Sequence, residues 1–298
     1  MTRPVELRRS YLFLPGADAS ALRAGPATGA DVLIQELEDF TPPARLPEAR
    51  GLSGEILAGW RRAGVIAAVR INPLALGGAT DLAAAMAGRP DLVALPKVAE
   101  PAQIVALDQA ITALESALGI APGSTEILPN IELALGLIQT FAIARASPRV
   151  RACLVAAEDM AADLGAERAP DGLELAYVRQ RFLVECVAAG VVAIDAPYTF
   201  SDAAGVEAET RQARRLGYRA KSCVAAEHAA ILNRVLTPSE DELAAARRIV
   251  AAFEAARRRG AERVEIDGHL VEVPRYLNAQ RLIARADALA TVTGGNRS

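Results

Sequence analysis

Aromatic side chains are scarce in this chain: they make up 4% of its 298 residues, with one tryptophan, five tyrosines and six phenylalanines. A core of this size must therefore be assembled from Ala, Leu, Val and Ile, which dominate the 52% of the chain that is hydrophobic. Cysteines number three and histidines two. Cys153, Cys186 and Cys223 are odd in number and lack paired spacing, which excludes a zinc site and predicts free buried thiols. His228 and His269 have no second histidine or cysteine at ligand spacing, and are expected on the surface or on a helix face. No apolar run reaches the roughly 18 residues that a membrane span needs. The segment from Met1 to Arg9 carries charges without a hydrophobic signal region behind it, so a cytoplasmic protein with no membrane partner is expected. The net charge of −3, with both signs spread along the chain, leaves no footprint for nucleic acid. The one dense basic run, Arg257-Arg258-Arg259, closes a predicted helix and complements its dipole.

What the chain does have is a repeat of short apolar runs that end in polar or charged residues. The runs lead in turn to Pro15-Gly16, to Glu36 through Asp39, to Arg70-Ile71-Asn72, to Pro96-Lys97, to Asn130-Ile131-Glu132, to Glu158-Asp159, to Asp195 and to Lys221. Segments of helical periodicity lie between them, over 44–62, 101–118, 172–189 and 203–216. Asp81 and Asp202 are placed to cap helix starts, and Gly119, Gly190 and Gly217 to cap helix ends. Eight strand and helix pairs by about residue 233 predict an α/β fold, a TIM (β/α)8 barrel. A doubly wound sheet would show a glycine-rich phosphate loop after its first strand, and Pro15-Gly16-Ala17-Asp18 is not one. The barrel is expected over 1–236. Residues 237–298 form a C-terminal helical extension, free to pack on its own barrel or on a neighbouring subunit, with a disordered tail from Gly294 to Ser298.

Strand carboxyl ends converge on one face of such a barrel, which makes their charges the candidate site. Glu132 and Asp159, from strands five and six, can share a hard divalent cation: magnesium, or manganese in its place. As an alternative, each would cap its following helix. Arg70 offers a bidentate fork to a substrate carboxylate, or an ion pair to Glu38 or Asp39 within the acid run Glu36, Glu38 and Asp39 of the adjacent strand. At least one of those acids should orient Arg70 or a metal-bound water. Lys97 is a candidate substrate-binding residue, either as a Schiff-base amine or, with carboxylates nearby, as a paired cation. Lys221 raises the same question.

These motifs resemble those of the citrate lyase β-subunit-like family within the HpcH/HpaI aldolase group. The resemblance rests on Arg9-Ser10-Tyr11-Leu12-Phe13-Leu14-Pro15-Gly16, Leu37-Glu38-Asp39, Val69-Arg70-Ile71-Asn72, Leu95-Pro96-Lys97-Val98, Ile131-Glu132 and Ala157 through Gly165. It implies a magnesium-dependent carbon–carbon lyase acting on a carboxylate-bearing 3-hydroxyacyl substrate, often a coenzyme A thioester such as malyl-CoA or citramalyl-CoA, and assembled as a homotrimer. Glu132 and Asp159 would hold the metal, Arg70 the oxo-acid carboxylate, and Arg9 would lie near the site. Glu272, in Val271-Glu272-Val273-Pro274, stands where the family supplies an aspartate across a subunit boundary, and it or an acid near Glu36 would be the catalytic base. Val224-Ala225-Ala226 replaces the family's isoleucine-histidine-proline, which puts coenzyme A binding in question. Two further readings follow from that departure: an aldolase of free pyruvate-like 2-oxo acids, or a non-catalytic barrel subunit.

Overall fold

The computed structural model describes residues 3–266 and 268–294, so the expected tail lies, past Gly294, outside the described residues. The chain divides into two compact units, Met1–Leu236 and Thr237–Ser298. In the first, eight parallel strands close a barrel in sequence order: β1 (Ser10–Pro15), β2 (Val32–Glu36), β3 (Ile66–Arg70), β4 (Leu92–Leu95), β5 (Glu126–Ile131), β6 (Ala152–Val155), β7 (Val192–Asp195) and β8 (Ala220–Cys223). Between and after them lie the helices α1 (Ala19–Ala24), α2 (Leu46–Arg62), α3 (Gly78–Met86), α4 (Pro101–Leu118), α5 (Ala134–Ile138), α6 (Thr140–Ala144), α7 (Glu158–Leu164), α8 (Ala176–Ala189), α9 (Ala203–Leu216) and α10 (His228–Val235).

Alternation along each strand sorts the side chains into two cores. Phe13, Ile34, Ala68, Ala94, Leu128, Leu154, Ile194 and Ala220 fill the barrel, while Leu12, Leu33, Val69, Val93, Ile127, Val155 and Cys223 pack outward against the helices. By the same count Glu36, Arg70, Asn130 and Ser222 point inward, two residues beyond Ile34, Ala68, Leu128 and Ala220. Asp195 and Lys221 point outward. They are opposite each other in the β7–β8 register and sit in a dry layer between these strands and the helices α8 and α9. There Arg179 donates to both Asp195 oxygens at 2.8 and 2.9 Å, and Lys221 Nζ lies 2.7 Å from Asp195 and 3.0 Å from Glu209. Burial works to raise the Asp195 pKa, but Lys221 and Arg179 outweigh it and hold the carboxyl below its usual range.

Two local expectations fail for identifiable reasons. The eighth strand begins at Ala220, two residues later than its apolar run, so Lys221 lies inside the strand on its outer face, away from the barrel mouth. Asp81 is not a helix cap. It is buried within α3, where its carboxylate accepts from the Asn72 N–H at 2.8 Å and from Arg50 at 2.7 Å. Asp202 does cap α9, accepting from Gly205 N–H, and Gly119 and Gly190 take left-handed φ values of 61° and 78° at helix ends. All three cysteines are free and buried.

The second unit is a helix pair with a hairpin: α11 (Glu240–Arg258), β9 (Val264–Ile266), β10 (His269–Val271) and α12 (Val273–Gly294). Ser239 and Glu242 form a reciprocal capping box at the start of α11, and Phe253 stacks on Tyr276 at 4.7 Å. Among the described residues no helix is long and apolar enough to cross a membrane.

Removing one member of the charge layer behind β7 and β8 tests its balance. Asp195→Ala leaves Arg179 and Lys221 facing only Glu209 in a buried space, and a loss of about 3–5 kcal/mol in urea unfolding is expected. A loss below about 1 kcal/mol would show that water reaches the layer.

Candidate active site

Strand β2 supplies the acid that organises the barrel mouth. Glu36 is fully buried, and its carboxylate accepts the backbone N–H groups of Glu38 at 2.7 Å and Phe40 at 2.5 Å. These bonds fold the chain back directly after the strand. The same Oε1 accepts from Arg70 Nε at 2.9 Å, across the β2–β3 register that places Glu36 opposite Arg70. Gly16 completes this corner, because a Cβ there would come within 2.2 Å of the Glu36 carbonyl oxygen.

Arg70 is thereby held in one orientation, with its guanidinium 5.1 Å from the Phe13 ring centroid and 5.9 Å from that of Phe40. Its Nη2 lies 3.4 Å from Glu38 and 3.8 Å from Asp39. Burial acts against the charge, but Glu36, Glu38 and Glu132 overcome it and keep Arg70 firmly protonated. Lys97 Nζ pairs with Glu38 and stands 3.5 Å from Asp39. Although burial lowers the Lys97 pKa, Glu38 more than reverses this, so the amine is held as a cation.

The fourth and fifth strand ends bring the decisive carboxylate. Lys97 follows β4 with φ at +51°, an uncommon conformation for a side-chain-bearing residue. Its backbone N–H donates to Glu132 Oε1. Glu132 is fully buried just beyond β5, and its Oε2 has no hydrogen-bond partner among the described residues. The nearest cation is Arg70 Nη1 at 4.0 Å. Burial, reinforced by the neighbouring charge of Asp159 and opposed by Arg70, pushes the Glu132 carboxyl up to about 8.

Asp159 sits in the first turn of α7 and lines, with Arg70 and Asn130, a cavity of about 450 Å³ over the carboxyl ends of the strands. Phe13, Leu154, Pro197 and Val224 give this cavity apolar walls. Glu158, next to Asp159, is tied to Arg168 at 3.0 Å and to Thr199 at 2.5 Å on the cavity rim. Among the described residues no three His, Cys, Asp or Glu side chains gather at metal-ligand spacing. Glu132 and Asp159 are the two carboxylates here that could hold a hard cation, one that would keep several waters.

Three candidate residues take other places or roles. Arg9 stands before β1 and forks onto Asp31, which precedes β2, at 2.9 and 3.0 Å. Since the strands run parallel, this is the amino-terminal rim, and the six residues of β1 put it roughly 20 Å from the mouth. Arg9 is a structural anchor and not a substrate ligand. Glu36 cannot serve as a free base, because its oxygens are committed to two N–H groups and Arg70; it positions Arg70 instead. Glu272 belongs to the second unit, between β10 and α12, beside a cavity of about 850 Å³ with Arg257, Arg263 and Pro274. His228, expected on the surface or on a helix face, takes the second place: it is the first residue of α10 and is buried.

Three residues of the site went unread in the sequence: Phe13 under Arg70, the Lys97 backbone N–H, and Asn130. Counting two residues on from Leu128 would have found Asn130.

The model of the HpcH/HpaI aldolase/citrate lyase family matches residues 9–226. The chain belongs to that family. It is 34% identical to citrate lyase subunit beta of Leuconostoc mesenteroides over 95% of this chain and 94% of that one. It is 30% identical to L-malyl-CoA/beta-methylmalyl-CoA lyase of Cereibacter sphaeroides over 96% and 97%. The structure of CitE from Mycobacterium tuberculosis in complex with magnesium, acetoacetate and coenzyme A superposes with a TM-score of 0.76 at 27% identity, covering 94% of this chain and 98% of that one. With these relatives, this member of the aldolase/citrate lyase family is a carbon–carbon lyase.

The raised Glu132 pKa gives the metal-free protein a pH signature. Between the ordinary value of 4.5 and about 8, the folded chain holds a proton that the unfolded chain releases. This contribution to stability is complete below pH 4.5 and is lost as pH rises through about 8. In chelator-treated protein the thermal midpoint should fall from pH 5 to pH 8, and Glu132→Gln should flatten that fall. An unchanged slope in the variant would place the titration elsewhere.

Proposed function

We propose that the chain is a magnesium-dependent lyase that cleaves a 3-hydroxyacyl substrate carrying a carboxylate beside the hydroxyl carbon, releasing a 2-oxo acid and an acyl enolate. The observation that carries this reading is the buried Glu132 carboxylate, which has one oxygen unpartnered among the described residues, feels the charge of Asp159, and lies 4.0 Å from Arg70. A buried carboxylate in that state is costly unless a cation completes it. Glu132 and Asp159 would hold magnesium, or manganese in its place, and the ion would supply Lewis acidity to the substrate's oxygens. Relatives whose names or structures carry magnesium, malyl-CoA or citrate support the assignment.

This chain's own residues do the rest. Arg70, locked by Glu36 and by the Phe13 face, takes the substrate carboxylate in a bidentate fork. Lys97 keeps Glu38 neutralised at the mouth and, through its N–H, fixes the rotation of Glu132. The apolar walls at Leu154, Pro197 and Val224 exclude water from the bond being broken. Glu272 is assigned as the acceptor of the hydroxyl proton, brought to the site by a neighbouring subunit of a homotrimer. The acyl half is carried as a thioester, which delocalises the enolate. A second reading keeps the same site but acts on free 2-oxo acids, and Val224-Ala225-Ala226, which replaces isoleucine-histidine-proline after β8, favours it.

Calorimetry with magnesium and manganese, followed by cleavage assays on malyl-CoA, citramalyl-CoA and their free acids, tests the proposal. Glu132→Gln and Asp159→Asn should each lose metal uptake and about a hundredfold or more in kcat/KM. Metal uptake equal to that of the unaltered protein would refute the site. Mixing Glu272→Gln with Glu132→Gln subunits should restore part of the activity, and no restoration would return the base to the same chain.

A further inference from the structure

The floor of the cavity carries a side chain to which the cleavage reading gives no role. Asn130 is fully buried on the inner face of β5, between Leu128 below and Glu132 above, and opposite Leu154 in the β5–β6 register. Its backbone carbonyl accepts from the Val98 N–H at 3.2 Å, a bond that any residue could make. Its carboxamide is different: neither Nδ2 nor Oδ1 has a partner among the described residues, and the side chain lines the cavity together with Arg70 and Asp159. Glu132, one step up the strand, has an unpartnered oxygen of its own, while two other inward polar groups of the barrel are already occupied. Ser222 Oγ donates to the Asp195 carbonyl at 3.0 Å, and Glu36 is committed to Arg70 and to the turn after β2. The walls around Asn130, from Phe13 and Leu154, offer it nothing polar.

An unpaired amide in an apolar barrel costs stability that a leucine at the same place would not. Such a local conflict marks a site where stability has been given up for recognition. The chemistry of the group narrows what it recognises. A carboxamide donates to a carbonyl or carboxylate oxygen and accepts from a hydroxyl, and it carries no charge that would compete with Glu132 and Asp159 for a cation.

The geometry points to Asn130 as a positioning residue for the 2-oxo acid half of the substrate, with Nδ2–H donating to an oxygen of that half from the cavity floor while Arg70 holds its carboxylate. The inference rests on the cleavage reading above. Two anchors from different strands fix the rotation of a planar oxo acid, which the fork of Arg70 alone leaves free about its own axis. Asn130 therefore governs the oxo-acid half and leaves the acyl half untouched.

Titration of glyoxylate, pyruvate and oxaloacetate into manganese-loaded protein, with Asn130→Leu and Asn130→Ser beside the unaltered chain, tests this. Asn130→Leu should weaken oxo-acid binding by about ten- to a hundredfold, the range for a hydrogen bond to a charged or strongly polar partner. It should leave manganese affinity and the KM of the acyl partner unchanged and should not lower the thermal midpoint. Asn130→Ser, which keeps a hydroxyl, should recover part of the loss, and it decides the question if the leucine variant does not fold. Unchanged oxo-acid affinity in both variants would overturn the inference while leaving the cleavage reading intact. An equal fall in manganese affinity would make Asn130 a metal ligand and overturn it too. Failure of the unaltered, metal-loaded protein to bind any of the three acids would take down both.

Discussion

Everything at this barrel's mouth depends on the strict in-and-out alternation of side chains along eight short parallel strands. A closed barrel has only two places for a strand-end charge, the lumen or the layer under the helices, and a shift of one residue exchanges them. Glu36 and Arg70 fall on the inner face, opposite each other in register, and so meet as an ion pair under the cavity. Asp195 and Lys221 are also opposite each other but fall on the outer face, where Arg179 and Glu209 balance them. An acid–base pair thus faces the cavity on one side of the wall, and another packs under the helices on the other.

The mouth is rich in acid, and its charges are ranked by how fully each is answered. Glu36 is satisfied by two backbone N–H groups and Arg70, Glu38 shares Lys97 and Arg70, and Glu158 is held by Arg168 and Thr199. Glu132 receives one backbone N–H and stands 4.0 Å from a guanidinium that is already bonded elsewhere. It is fully buried with one oxygen unpartnered among the described residues and, with Asp159, is the proposed seat for an added positive charge. Arg70 cannot fill that demand, because its position is fixed by Glu36 and the two phenylalanine rings.

Much of this was legible in the sequence. The eight apolar runs and the helices between them follow from periodicity, and Arg70, Glu132 and Asp159 stand at ends that a parallel barrel must bring to one face. What could not be read there has physical causes. Arg9 misleads because a charge beside a strand says nothing of which end of the barrel it occupies until the strand's first residue is known. Lys221 misleads because β8 starts two residues after its apolar run begins. The +51° φ of Lys97, which turns its N–H toward Glu132, has no signature in residue type, since glycine or asparagine is the usual choice there. Glu36 reads as one acid among three, and only the hydrogen bonds to the turn after β2 show that its oxygens are spent.

The most direct measurement of the central claim is a crystal structure grown with manganese and a 2-oxo acid, using the metal's anomalous scattering to locate it. The account predicts one peak at the barrel mouth, within roughly 2.0 to 2.2 Å of oxygens from both Glu132 and Asp159, with the acid's carboxylate on Arg70. A peak away from these carboxylates, or an ordered oxo acid with no metal beside it, would contradict it.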